Sequence, residues 1–198
     1  MSLIFPQGIN YLCRLVLTEL MRKLRHLPAQ ISSESYPEFI ASCSEHIVRK
    51  GRDMTHYFLE EPEPDKIIYE VYEAECAGNS CTALTIIKPG KIGREYHMTK
   101  GHFHEDPKSG ETYYCLKGKG IILMQTRRGE TEEIRLEPGT VACIPPGWAH
   151  RTVNVGKSEF IMVAVFPASA GHDYKSIEKK GFAKRVLEHR GKPRVMQQ

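Results

Sequence analysis

The stretch whose reading decides the fold is PGTVACIPPGWAHRTVN, residues 138–154. Gly139 is followed after five residues by Pro145, and then by Gly147, His150 and Asn154. A short strand-like run is bracketed by the turn signals Pro138-Gly139 and Pro146-Gly147. Glycine tolerates positive φ and proline fixes its own, so these residues bend the chain sharply. The pattern reads as a strand turning a tight corner, with one histidine just beyond it.

Similar punctuation runs through the chain from about Ile67 onward. IIYEVYEAE (67–75), CTALTIIKP (81–89), GIILMQT (120–126), TEEIRLE (131–137) and EFIMVAVFP (159–167) are short strand-like runs. Pro89-Gly90, Arg128-Gly129-Glu130 and Gly156 supply further turns. Many short strands without intervening helices predict a mainly β fold, an antiparallel barrel or jelly roll. Residues 1–52 read instead as helical. Leu12, Leu15, Val16, Leu20 and Leu24 recur at helical spacing. SSESYPEFIASCSEHIVRKG (32–51) then offers serine caps, apolar Phe39, Ile40 and Ile47, and Gly51 as a stop. The expected organisation is a helical extension over 1–52 that packs on the barrel or a partner subunit, a barrel over 53–190, and a tail over 191–198. The stretch 173–193 is expected to hold a short helix and a final strand.

With 198 residues the chain supports one well-buried core. A net charge of +4 suits anionic small molecules and lacks the dense basic face of nucleic-acid binding. No apolar run is long enough to span a membrane. The first residues lack the features of a secretory signal, so a cytoplasmic chain is expected, with its six cysteines reduced. None of the cysteines forms a C-x-x-C pair, and Cys115 and Cys143 read as small core residues.

The chemistry concentrates in TKGHFHEDPKSGETYY, residues 99–114. On a strand, residues i and i+2 face the same way, so His102 and His104 project together. Taken with Glu111 and His150, they offer three imidazoles and one carboxylate. That is a borderline-to-hard donor set suited to Fe²⁺, Mn²⁺, Ni²⁺ or Zn²⁺, with positions to spare for water or substrate oxygens.

The series from Gly139 to Asn154 resembles the second motif of the cupin superfamily, G-x5-P-x-G-x2-H-x3-N, at every position. Glu111 to Gly118 resembles the E-x6-G ending of the first motif. Cupins are jelly-roll antiparallel β-barrels, which agrees with the strand pattern. Six residues separate His104 from Glu111, wider than the general motif. That spacing is similar to one family, the cupin-type glucose-6-phosphate isomerases. RKGRDMTHYF (49–58), TIIKPGKIG (85–93), LKGKG (116–120) and FPASAGHDY (166–174) resemble the same family. The likeness covers about residues 49–187.

The resemblance implies a metal-dependent aldose–ketose isomerase that interconverts glucose 6-phosphate and fructose 6-phosphate. It implies one divalent metal per subunit, Fe²⁺ favoured, on His102, His104, Glu111 and His150. It implies phosphate binding by Tyr69, Thr85, Thr99 and Gly101, to which Lys100 adds nearby charge. Around C1 and C2 it implies Glu111, Tyr113, His172 and Tyr174, with Glu111 or His172 moving the proton. It also implies a homodimer with a sugar-phosphate substrate and no nucleic-acid or membrane partner. The rival readings are another cupin enzyme, such as a sugar epimerase or a dioxygenase, and a non-catalytic sugar-binding cupin.

Overall fold

The computed structural model describes residues 31–198 except Glu75. The apolar stripe from Leu12 to Leu24 and Cys13 lie outside the described residues. The first described helix, α1 (Tyr36–Ser42), has Pro37 in its first turn and ends as Cys43 turns extended. Phe39 is buried from it, and with Tyr36 and Ile40 it packs on Leu84, Ile86, Leu116, Ile161 and Val163.

The remainder is mainly antiparallel β structure. The strands are β1 (Glu45–Lys50), β2 (Ile67–Glu73), β3 (Ser80–Ile87), β4 (Lys91–Ile92), β5 (Glu95–Tyr96), β6 (Glu111–Lys117) and β7 (Gly120–Thr126). They continue as β8 (Thr131–Leu136), β9 (Val141–Ile144), β10 (Trp148–Asn154), β11 (Phe160–Pro167), β12 (Lys184–His189) and β13 (Lys192–Gln197). A six-stranded sheet runs β1-β2-β3-β11-β6-β9, a three-stranded sheet β10-β7-β8, and a four-stranded sheet β13-β12-β5-β4. One buried cluster draws on all three sheets, from Ile68 and Ile87 through Ile122 and Val153 to Val186. Burial of such apolar surface supplies the main drive to this arrangement. In β7 the run Ile121, Ile122 and Leu123 is buried on both faces. It is the central strand of its sheet, paired along both edges, and its side chains belong to the buried cluster.

Register across the six-stranded sheet explains where space opens. Arg49, Tyr69, Ile87 and Phe160 form one cross-strand row, and Ile47, Val71, Thr85, Met162 and Cys115 the next. The third row is Glu45, Glu73, Ala83, Ala164, Tyr113 and Ala142. Its three alanines project only a methyl group each. Ala83 and Ala164 leave room over the sheet, and side chains of all three rows border that space.

Four expectations need correction. Residues 45–50 form strand β1 rather than a continued helix. Pairing with β2 from Glu45↔Glu73 to Lys50↔Ile67 overrides a mixed local pattern. The supposed tail contains β13, joined to β12 by a tight turn with Arg190 and Gly191 both at positive φ, as a two-residue hairpin demands. Cys76 and Cys81 are disulfide-bonded rather than reduced. The β2–β3 turn, closed by mutual bonds between Ala77 and Ser80, sets them across from each other. Cys143 is exposed, whereas Cys115 is buried as expected. The stretch after residue 173 does hold a short helix, α2 (Lys175–Lys180). Among the described residues no helix is long and apolar enough to cross a membrane.

Candidate metal centre

Two short ladders assemble the centre. The segment following β5 runs antiparallel to β10, with bridges Met98↔Val153 and His102↔His150. His102 N–H donates to the His150 carbonyl at 3.3 Å, and His150 N–H returns the bond at 3.1 Å. The two halves of the sequence pattern therefore meet as a cross-strand pair. Glu111 opens β6 opposite Ile144, the last residue of β9 before the Pro145-Pro146-Gly147 corner. Asn154, which closes the motif, is structural: its amide donates to the carbonyls of Ile87 and Ser158 at 2.9 Å and accepts from Gly156 N–H.

The ligand atoms of His102, His104, Glu111 and His150 all lie within 4.8 Å of one another. His104 Nδ1 sits 3.0 Å from the Ser109 carbonyl, and His150 Nδ1 sits 3.3 Å from the Trp148 carbonyl. A carbonyl only accepts, so in each neutral ring Nδ1 carries the hydrogen and Nε2 presents a lone pair to the centre. Glu111 Oε2 lies 2.9 Å from His150 Nε2 and 3.4 Å from His104 Nε2. Yet Glu111 Oε2, His102 Nε2 and His150 Nε2 are buried without a hydrogen-bond partner among the described residues. Buried acceptors converging on one point are costly unless a cation lies between them. The donor set thus fits a divalent metal.

The electrostatics agree. Burial pushes the Glu111 carboxyl up, but the hydrogen bonds and charge that His104 and His150 supply when protonated outweigh it and hold it down at about 2. Glu111 is therefore ionised across the neutral range. Burial, together with the neighbouring His150, His172 and His104, drives the His102 imidazole well down, so it stays neutral and able to ligate. Burial, then the charge and hydrogen bonding of Glu111, raises Tyr113 well above the ordinary phenol range. Tyr113 is thus a protonated phenol beside Glu111.

One cavity holds the centre at one side. Tyr69, Thr85, Thr99, Gly101, His102, Glu111, Tyr113, His150, His172 and Tyr174 all line it. His172 and Tyr174 arrive on a rim loop fastened to the centre. Phe103 and Asp173 exchange backbone hydrogen bonds at 3.4 and 2.8 Å, and Asp106 N–H donates to the Ala170 carbonyl. Asp173 turns outward to Arg127 and Ser176, which leaves His172 and Tyr174 stacked inward with ring centroids 5.6 Å apart. The His172 ring stands edge-on to His102 at 4.4 Å.

Lys100 lies elsewhere. Its ammonium sits over the Tyr57 ring at 5.2 Å and does not line the cavity. Among the described residues the lining Lys or Arg is Arg49, which the sequence reading missed because it took β1 for helix. Burial raises the Tyr69 phenol, while the Lys100 N–H and Arg49 act against that rise. Glu73, Ala83 and Ala164 were also missed, although strand parity with Thr85 and Tyr113 marks their faces.

Fold and site together define a mainly antiparallel β protein with a buried three-histidine, one-carboxylate centre. A family model described as Glucose-6-phosphate isomerase (GPI) matches residues 54–198, and the chain belongs to that family. It is 48% identical over 159 residues to a glucose-6-phosphate isomerase of Thermococcus kodakarensis, covering 76% of this chain and 84% of the relative. It is 48% identical over 160 residues to one from Pyrococcus abyssi, covering 76% and 85%. Among solved structures, an oxalate oxidase in complex with the substrate analogue glycolate aligns with TM-score 0.47 and 20% identity, covering 56% of each chain.

Proposed function

We propose that the chain is a metal-dependent isomerase interconverting glucose 6-phosphate and fructose 6-phosphate. The observation that carries this reading is one cavity joining the four converging ligand atoms to a set of anion donors. Tyr69 and Glu73 stand four residues apart on β2, about 13 Å along the strand, a span that holds an extended six-carbon sugar phosphate.

His102, His104, Glu111 and His150 would hold the divalent ion, Fe²⁺ favoured. When bound, it would supply Lewis-acid polarisation of the substrate carbonyl. Thr99 Oγ1 already accepts the Thr152 N–H at 3.1 Å, so its own hydrogen is free for a phosphate oxygen. Thr85 and the Tyr69 hydroxyl face the same space, and Arg49 contributes the positive charge that a phosphate dianion needs in a confined site. Glu111 is held within the ligand cluster. His172 stands beside it outside the cluster, and burial lowers its pKa, so it is a neutral imidazole able to take and return a proton. Tyr174, its stacked neighbour, is raised by burial and stays protonated, so it serves as a donor during ring opening.

The test is conversion of fructose 6-phosphate to glucose 6-phosphate by purified, metal-loaded protein, which is also expected to sediment as a dimer. No conversion with any first-row divalent metal would end the isomerase reading. Arg49→Gln separates the charge from the chemistry. It is expected to raise KM for fructose 6-phosphate about tenfold or more, in line with the loss of a charge-assisted hydrogen bond, with a smaller effect on kcat. An unchanged KM would remove Arg49 from the phosphate site.

A further inference from the structure

Arg151 follows the ligand His150 on β10 but faces away from the centre. It is 2% exposed, with its guanidinium over the Phe182 ring at 4.5 Å and near the Tyr57 ring at 5.7 Å. Among the described residues it makes no ion pair. The nearby buried carboxylate, Glu95, is taken by Arg185 at 2.7 Å and by the Leu59 N–H at 2.9 Å. Arg151 instead places both Nε and Nη2 on one acceptor, the Lys100 carbonyl, at 3.1 and 2.7 Å. Burial of this charge pushes its pKa down to about 10. A buried guanidinium that bonds only a backbone carbonyl costs stability and calls for a reason.

The backbone supplies one. Thr99 N–H bonds the Thr152 carbonyl, and His102 pairs with His150, so two residues, Lys100 and Gly101, stand opposite the single Arg151. This is a β-bulge, and Gly101 takes φ 73° within it. A side chain at 101 would also strike the Phe182 ring at 2.8 Å and both Arg151 Cβ and the His150 carbonyl at 2.9 Å. No carbonyl among the described residues accepts the Gly101 N–H. All peptide bonds described are trans, so the Gly101 N–H points opposite to the Lys100 carbonyl of the same peptide. Arg151 holds that carbonyl on the far side, and Gly101 lines the cavity next to Thr99.

We infer that Arg151 is a positioning residue for anion binding: it grips the Lys100 carbonyl, aims the Gly101 N–H at the substrate phosphate, and polarises that peptide with its buried charge. The inference rests on the isomerase reading for the identity of the anion. It gives the bulge, the glycine and the unpaired arginine one shared cause. The charge acts on the ligand through a peptide dipole, as successive backbone N–H groups do in anion-binding nests.

The test compares Arg151→Lys and Arg151→Met with the parent, all metal-loaded. Fructose 6-phosphate and inorganic phosphate are titrated calorimetrically, and kcat, KM and bound metal are measured alongside. Arg151→Met is expected to bind both ligands about tenfold more weakly and to raise KM by the same factor, with a far smaller fall in kcat and full metal content. Arg151→Lys keeps charge but loses the two-pronged grip, so it should fall between the two. Parental affinities in both variants would overturn the inference, as would weakened binding that only follows lost metal. If Arg151→Met fails to fold, Arg151→Lys decides alone, with unchanged affinity counting against the role. If the parent does not turn over fructose 6-phosphate, the isomerase reading falls, and the phosphate titration still judges Arg151.

Discussion

Glu111→Gln lowers turnover about a thousandfold or more while the far-UV circular dichroism spectrum stays that of the parent; this is the largest effect expected from a single substitution. Glutamine has nearly the same shape, so packing beside Tyr113 and Ile144 survives. What disappears is the charge. The carboxylate, held at about 2, is the one anion among the four ligands. Without it, three neutral imidazoles must hold a divalent ion in a buried site, and Tyr113 loses the neighbouring anion that keeps its phenol protonated. Kinetics and bound metal are measured on the same preparation. Turnover within tenfold of the parent would remove Glu111 from the centre.

Chelation is the second large effect. Dialysis against EDTA should abolish isomerisation, and Fe²⁺ or Mn²⁺ added back should restore it. The same titration should raise the thermal unfolding midpoint. His102 Nε2, His150 Nε2 and Glu111 Oε2 are buried with no hydrogen-bond partner among the described residues, an arrangement that an ion relieves. Binding to the folded chain alone stabilises it by about 4 kcal/mol at a thousandfold excess over Kd. Undiminished activity after chelation, with an unmoved midpoint, would refute the metal mechanism.

Much of the centre was legible in the chain because its determinants are local. His102, His104, Glu111 and His150 sit at fixed distances from glycines and prolines whose backbone preferences place the corners. Strand alternation then carries each side chain to a face. Strand parity with Glu111 put Tyr113 on the cavity side, whereas Tyr69 and Thr85, which also line the cavity, came from the family resemblance rather than from periodicity. Where pairing partners decide the outcome, local reasoning failed. EHIVRK, residues 45–50, has no clear period of its own and becomes a strand through its ladder with β2. The disulfide between Cys76 and Cys81 depends on a hairpin register that cysteine spacing alone does not announce.

By itself the sequence determined the chemistry of the centre, the β architecture around it and the corners that hold it, since residue type, period and glycine placement act over a few residues. Only the tertiary structure decided which cations serve the cavity. Parity counted from His102 would send Lys100 inward, but the bulge at Lys100 and Gly101 breaks that parity and leaves the Lys100 ammonium over Tyr57. Arg49 enters the cavity through sheet register, and Arg151 acts from behind through a peptide. Those placements follow from which segments meet across the sheet, a long-range outcome of packing that no short window of residues contains.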